Sequence, residues 1–171
     1  MQFVGIVLFS IAAAAFYGVV HDQITARVCV EYFTIGHSPI FKTTSPTLLA
    51  LGWGVLATWW VGLALGICVA CAARLGIWPR LAVRELIRPT LVLLLVMGMA
   101  AAFFGWRGFV RARAGEIKLP PALFAAVPPG KHVTFIADWF AHTASYATGG
   151  LGGLSLCVWI LRKRRQAMKN K

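Results

Sequence analysis

Residues 47–73 read TLLALGWGVLATWWVGLALGICVACAA, 27 consecutive positions without a charged side chain. A helix of about 20 residues crosses the hydrocarbon core of a bilayer, so this stretch reads as a transmembrane helix. Ser45 and Pro46 mark its start: a serine N-cap, then proline at the first helical position, where its missing N–H costs no helical bond. Three further stretches flank it. Residues 2–20 carry no charge, residues 90–106 supply 17 positions that barely span, and residues 143–161 lead into a basic tail. A cleaved signal peptide is the rival reading of the first stretch, with residues 12–15 imitating a cleavage site. No Lys or Arg precedes the apolar run, and a signal needs that positive start.

Composition points the same way. The 171 residues are 59% hydrophobic and 13% charged, with a mean hydropathy of +0.75, whereas soluble domains sit near about half and about a quarter. Disorder, a collagen repeat and a disulfide scaffold are excluded. The expectation is a single-domain, all-α integral membrane four-helix bundle. Its helices cover 2–20, 47–73, 90–106 and 143–161, its outer loops 21–46 and 107–142, its cytoplasmic loop 74–89 and its basic tail 162–171.

The 17 Lys and Arg against 5 Asp and Glu, net +12, are first a topology signal. Arg162, Lys163, Arg164, Arg165, Lys169 and Lys171 join Arg74, Arg80, Arg84 and Arg88 on one side of a four-crossing chain. The positive-inside rule makes that side cytoplasmic, and both termini with it. Arg107, Arg111, Arg113, Lys118 and Lys131 in the third loop run against this orientation. Arg80, Arg84 and Arg88 recur every four residues with Leu81, Leu86 and Ile87 behind them, which reads as a short interfacial helix binding anionic lipid head groups. Other expected partners are a second copy or a larger membrane complex. Nucleic acid is not one, since no soluble basic domain is present.

Small residues suggest how the helices meet. Ala141, Ser145, Gly149 and Gly153 recur at steps of four in the last helix, and Gly62 and Gly66 do so in the second. Such spacing lets backbones approach closely in lipid. Cys68 and Cys71 form a C-x-x-C inside the second helix with no polar neighbour, so they read, like Cys157, as small packing residues. Cys29, in the polar outer segment, is a weak ligand candidate.

The chemistry concentrates on one side. His21, His37, His132 and His142 fall in the outer loops or adjoining helix ends, together with Asp22, Glu31 and Asp138; Glu85 and Glu116 lie among arginines. Residues 21–35 contain no Pro or Gly, so the first helix is expected to continue outward to Gly36, and the fourth to begin soon after Gly130. Two layers then line up: His21, Asp22, Asp138 and His142 inside, and Glu31, His37 and His132 roughly 15 Å further out. His21 and Asp22 are adjacent and point about 100° apart on a helix, so one of the two is expected to face the site. Arg27 and Glu31, at i and i+4, are candidates for an ion pair.

A mixed His/carboxylate set suits a divalent transition metal, Zn, Fe or Mn. The Glu-x-x-His spacing of di-iron bundles is absent. A haem between His21 and His142 has no supporting motif.

The run HDQITARVCVEYFTIGHSP at 21–39, followed by LGWG at 51–54 and TWW at 58–60, resembles an uncharacterised family of small bacterial four-helix membrane proteins. The resemblance covers about the first half of the chain. It implies a bacterial membrane setting and adds no chemistry.

The functional expectation is a membrane protein with an outward-facing His/carboxylate site that binds metal or works as a metalloenzyme. Asp22, Glu31, Asp138 and His142 are the favoured ligands, with His21, His37 and His132 as further ligands or acid–base groups. The alternative is a non-enzymatic accessory, transport or assembly component of a membrane complex. A transport path would show charges within the spans, and residues 47–73 and 90–106 contain none.

Overall fold

Long apolar helices account for most of the chain. The computed structural model describes residues 1–170 and contains no strand among the described residues. In chain order it has α1 (Gln2–Val28), α2 (Val30–Thr34), α3 (Pro46–Leu56), α4 (Trp59–Arg74), α5 (Val83–Arg113), α6 (Pro121–Ala126) and α7 (His132–Lys169). Four segments are long and apolar enough to cross a membrane: α1, α3 with α4, α5, and the stretch ending in α7. At 1.5 Å per residue α1 is about 40 Å long and α7 about 57 Å, both longer than the ~30 Å apolar layer.

The Ser45 hydroxyl accepts the Leu48 N–H, as its N-cap position foretold, and Pro46 opens α3. The expected single helix over 47–73 is broken at Ala57 and Thr58. There the Thr58 hydroxyl donates to the Gly54 carbonyl, satisfying a backbone group that the break leaves free.

α1 packs along α3 and α4, α5 packs along α7, and α4 meets α7 to join the two pairs. The first seam is set by glycine. A Cβ on Gly54 would lie 2.6 Å from Val19 Cα, and one on Gly62 would lie 2.8 Å from Ile11 Cα. Any side chain there would push the helices apart. On α7, Gly149 faces Met97 of α5 and Gly153 faces Leu65 of α4. The steps of small residues therefore serve helix packing. α1 and α7 make few contacts with each other, and a cavity lies between them.

The separate interfacial helix expected over Arg80, Arg84 and Arg88 does not form. α5 starts at Val83 and runs through Pro89 to Arg113, seven residues beyond the expected span at each end. Its start is fixed by Glu85, whose Oε2 accepts the Ala82 N–H at 2.9 Å. Pro89 removes one backbone donor, a loss that a helix held by neighbours tolerates. Arg80 precedes the helix, Arg84 and Arg88 lie in its first turns, and all three are exposed. Leu81 and Leu86 are buried, but Ile87 is 41% exposed rather than packed behind them.

Both chain ends gather at one end of the bundle. Gln2 Oε1 accepts the Val83 N–H at 3.2 Å, and Lys163 pairs with Glu85 at 3.5 Å. Arg164, counted among the tail charges by sequence, is 1% exposed. Its guanidinium donates to the carbonyls of Ala72, Leu75, Trp78 and Pro79, closing off the C-terminal end of α4 and the loop beyond it.

Candidate functional site

At the opposite end the site is made by an interruption. α1 does not continue to Gly36; it stops at Val28, and Cys29 adopts an extended conformation (φ −150°, ψ 95°) before α2 begins. Cys29 is fully buried against Leu119, Val127, Phe135 and Ile136, so packing of the 117–127 segment over the start of α7 fixes the break. The chain thereby turns back over the end of the bundle. α2 places Tyr32 and Phe33 against His142, at ring-centroid distances of 4.4 and 5.7 Å.

Beneath them His21, Asp22 and His142 converge. One ligand atom from each lies within 4.8 Å of the others, and such a group can hold a metal ion. His142 is 7% exposed and Asp22 5%. His142 Nδ1 donates to the Asp138 carbonyl of its own helix at 2.8 Å. A carbonyl can only accept, so the proton sits on Nδ1 and Nε2 is turned outward. That nitrogen stands 3.3 Å from Asp22 Oδ1. The His21 ring lies edge-on to His142 at 4.5 Å and stacks on Tyr17 at 5.7 Å. Its Nε2 is buried with no hydrogen-bond partner among the described residues. Both His21 and Asp22 therefore face the site, contrary to the expectation that only one would, because His142 lies between their two directions.

The remaining candidates separate. Asp138 is 2% exposed, beside the Cys29 backbone, and its Oδ2 has no hydrogen-bond partner among the described residues, but its carboxyl is outside the group of converging ligand atoms. His37 does not stand in an outer layer. The turn after α2 brings it down against Tyr32, Phe33 and Trp53, where Nδ1 donates to the Tyr32 carbonyl at 2.9 Å. Burial lowers its pKa below the ordinary histidine value, and the nearby His142 acts in the same sense. It lines the same cavity as the cluster.

Glu31 is engaged elsewhere. It pairs with Lys131 at 3.3 Å and accepts from the Cys29 thiol at 3.4 Å. Although partial burial opposes ionisation, hydrogen bonds from its own backbone N–H, the Cys29 thiol and Lys131 hold its carboxyl below the usual range. The expected Arg27–Glu31 pair is not formed: Arg27 donates to the Gln23 carbonyl and side chain and to Thr47. His132 donates to the Val127 carbonyl at 2.8 Å and its ring lies tilted against Phe124, 4.4 Å between centroids. The outer layer of Glu31, His37 and His132 thus dissolves once the helix breaks at Cys29. Tyr17 carries no signal in the sequence, and Ser145, read there only as a small packing residue, sits three residues beyond His142 on α7; their hydroxyls share a hydrogen bond at 2.8 Å on the cavity wall.

Fold and site together define an all-helical protein with four helices long and apolar enough to cross a membrane and a His/Asp cluster at one end. No known protein family, curated protein or solved structure matches the chain.

Proposed function

We propose that the protein is an integral protein of the bacterial inner membrane, both termini cytoplasmic, that binds a divalent transition metal at its outer end through His21, Asp22 and His142. One observation carries the reading. His142 Nδ1 is committed to a carbonyl, so the facing pair of Nε2 and Asp22 Oδ1, 3.3 Å apart, consists of two acceptors unless a cation sits between them. Two ligands ~2.1 Å from a tetrahedral zinc stand ~3.4 Å apart, and the observed separation suits that edge. The unpartnered His21 Nε2 supplies a third donor.

Two histidines and one carboxylate form the ligand set of many catalytic zinc and non-haem iron(II) centres, which keep a coordination position free for water or substrate. The Asp138 carbonyl serves His142 as an outer partner that fixes its tautomer and ring direction. Zn, Fe or Mn fits the donors; haem does not, since the two imidazoles lie edge-on at 4.5 Å. Arg80, Arg84 and Arg88, exposed at the opposite end, are proposed contacts for anionic head groups.

Elemental analysis of the detergent-purified protein tests the reading. About one equivalent of transition metal, lost in His142→Ala, supports it. No metal under any loading condition leaves a proton as the cation between His142 and Asp22. The cluster is then a polar clasp, and the protein an accessory or assembly component.

A further inference from the structure

The cavity between the two helix pairs is longer than the cluster requires. It begins at His37 and Trp53, passes His21, Asp22 and His142, and continues between α1, α4, α5 and α7 as far as Leu86 and Leu156. From His142 to Leu156 is 14 residues of α7, about 21 Å along the axis. One leaflet of a ~30 Å hydrocarbon layer is shallower than that. Its volume of about 130 Å³, spread over this length, makes it narrow.

Its polarity is graded. Histidine, carboxylate, phenol and serine hydroxyl occur at the cluster end, and no charged side chain lines the cavity beyond Asp22. The hydroxyls of Ser10 and Thr58 on its wall donate to carbonyls of their own helices, so apart from the Thr90 hydroxyl toward the far end the wall beyond the cluster is apolar. Gly150 contributes to this wall, and a Cβ placed there would meet nothing within 4 Å. Tyr146 also lines the cavity and is 49% exposed, which marks a side opening toward the surrounding lipid. An apolar cavity of this kind does not hold water; at acyl-chain depth the matching filler is hydrocarbon.

We propose that this cavity binds a single-chain amphiphile from the membrane, its apolar tail between α1 and α7 and its oxygen-bearing head group at the His21–Asp22–His142 cluster. The head-group contact rests on the metal reading above; the binding of the tail does not. The narrow bore selects one chain over two, and the polar end selects a head group whose oxygen can complete the coordination of a metal held by the cluster.

The test uses the full chain in liposomes with a palmitic acid carrying a photoactivatable diazirine in its tail, and cross-linked residues mapped by mass spectrometry. The expected result is labelling of Ala13, Leu65 and Leu94 on the cavity wall, reduced at least fivefold by excess unlabelled palmitate. Gly150→Leu, which fills the bore without touching the cluster, is expected to abolish that labelling while leaving metal content unchanged. Labelling confined to outward residues such as Phe16, Leu95 and Leu151, or wall labelling that palmitate does not compete, overturns the proposal. The competition is read on the unaltered protein, so the test stands even where Gly150→Leu fails to insert. Wall labelling in a protein that holds no metal would remove the metal reading alone; metal without wall labelling would remove this one alone.

Discussion

His142 Nε2 on α7 and Asp22 Oδ1 on α1 face each other at 3.3 Å across 120 residues of sequence, while Nδ1 of the same imidazole is tied to the Asp138 carbonyl at 2.8 Å. Two acceptors at this distance in a buried site repel unless a proton or a metal ion lies between them. The first prediction separates those cases. Asp22→Asn can donate an N–H to Nε2 and so preserves a simple hydrogen bond, but it removes a charged ligand. A metal site is expected to lose at least tenfold in affinity, read by competition with a calibrated chelator. A clasp holds no metal to lose, and with its hydrogen bond preserved its thermal unfolding is expected to shift little.

Residues that the structure draws away from the cluster serve as controls. Glu31→Gln and His132→Ala are expected to leave metal content within about twofold of the unaltered protein, measured by elemental analysis. Glu31 is committed to the partly exposed Lys131 pair, so its loss is expected to cost under about 1 kcal/mol in thermal unfolding.

His37 sets a pH dependence. Burial lowers its pKa in the folded protein, so the unfolded chain takes up the proton first as pH falls. Its contribution is therefore present in full above the unfolded value near 6.5 and is lost as pH drops through the folded value. The slope is at most about 1.4 kcal/mol per pH unit, reduced by the residue's partial exposure. His37→Gln is expected to flatten the fall of Tm between pH 7.5 and 5.

Arg164 is expected to be a strong stability position. Arg164→Ala leaves carbonyls of Ala72, Leu75, Trp78 and Pro79 without their donor, at a cost of about 2–4 kcal/mol. Arg164→Lys recovers only part of this, since an ammonium lacks the planar fork that reaches several carbonyls at once. Limited proteolysis of the 75–82 loop, faster in both variants and fastest in Arg164→Ala, is the readout.

The α1–α3 seam supplies a steric prediction. Gly54→Ala places a methyl 2.6 Å from the Val19 backbone and is expected to cost about 1–3 kcal/mol. Gly98→Ala, where nothing lies within 4 Å, is expected to be neutral or mildly stabilising. Thermal unfolding in one detergent compares the two.

Much of this was legible in the residues. The apolar stretches located all four long helices, and Ser45-Pro46 located the start of α3. His21, Asp22 and His142 were all in the expected inner layer. Helix ends were less legible: apolar length marks the part of a helix that suits lipid, and α5 and α7 extend well past it on polar residues. The outer layer failed for a different reason. Cys29 is neither proline nor glycine, and only its burial under the 117–127 segment accounts for the break that carries His37 inward and leaves Glu31 to Lys131.

By itself the sequence determined the apolar, all-helical class of protein and the end of the helices that carries the His/Asp cluster, because apolar length and the placement of ionisable residues are properties of the chain that hold whatever it packs against. Only the tertiary structure decided which side chains meet. The approach of Asp22 to His142, the burial of Arg164 among four carbonyls and the cavity between α1 and α7 depend on how far helices rotate and how closely glycine lets them cross. Those quantities are set jointly by residues far apart in the chain.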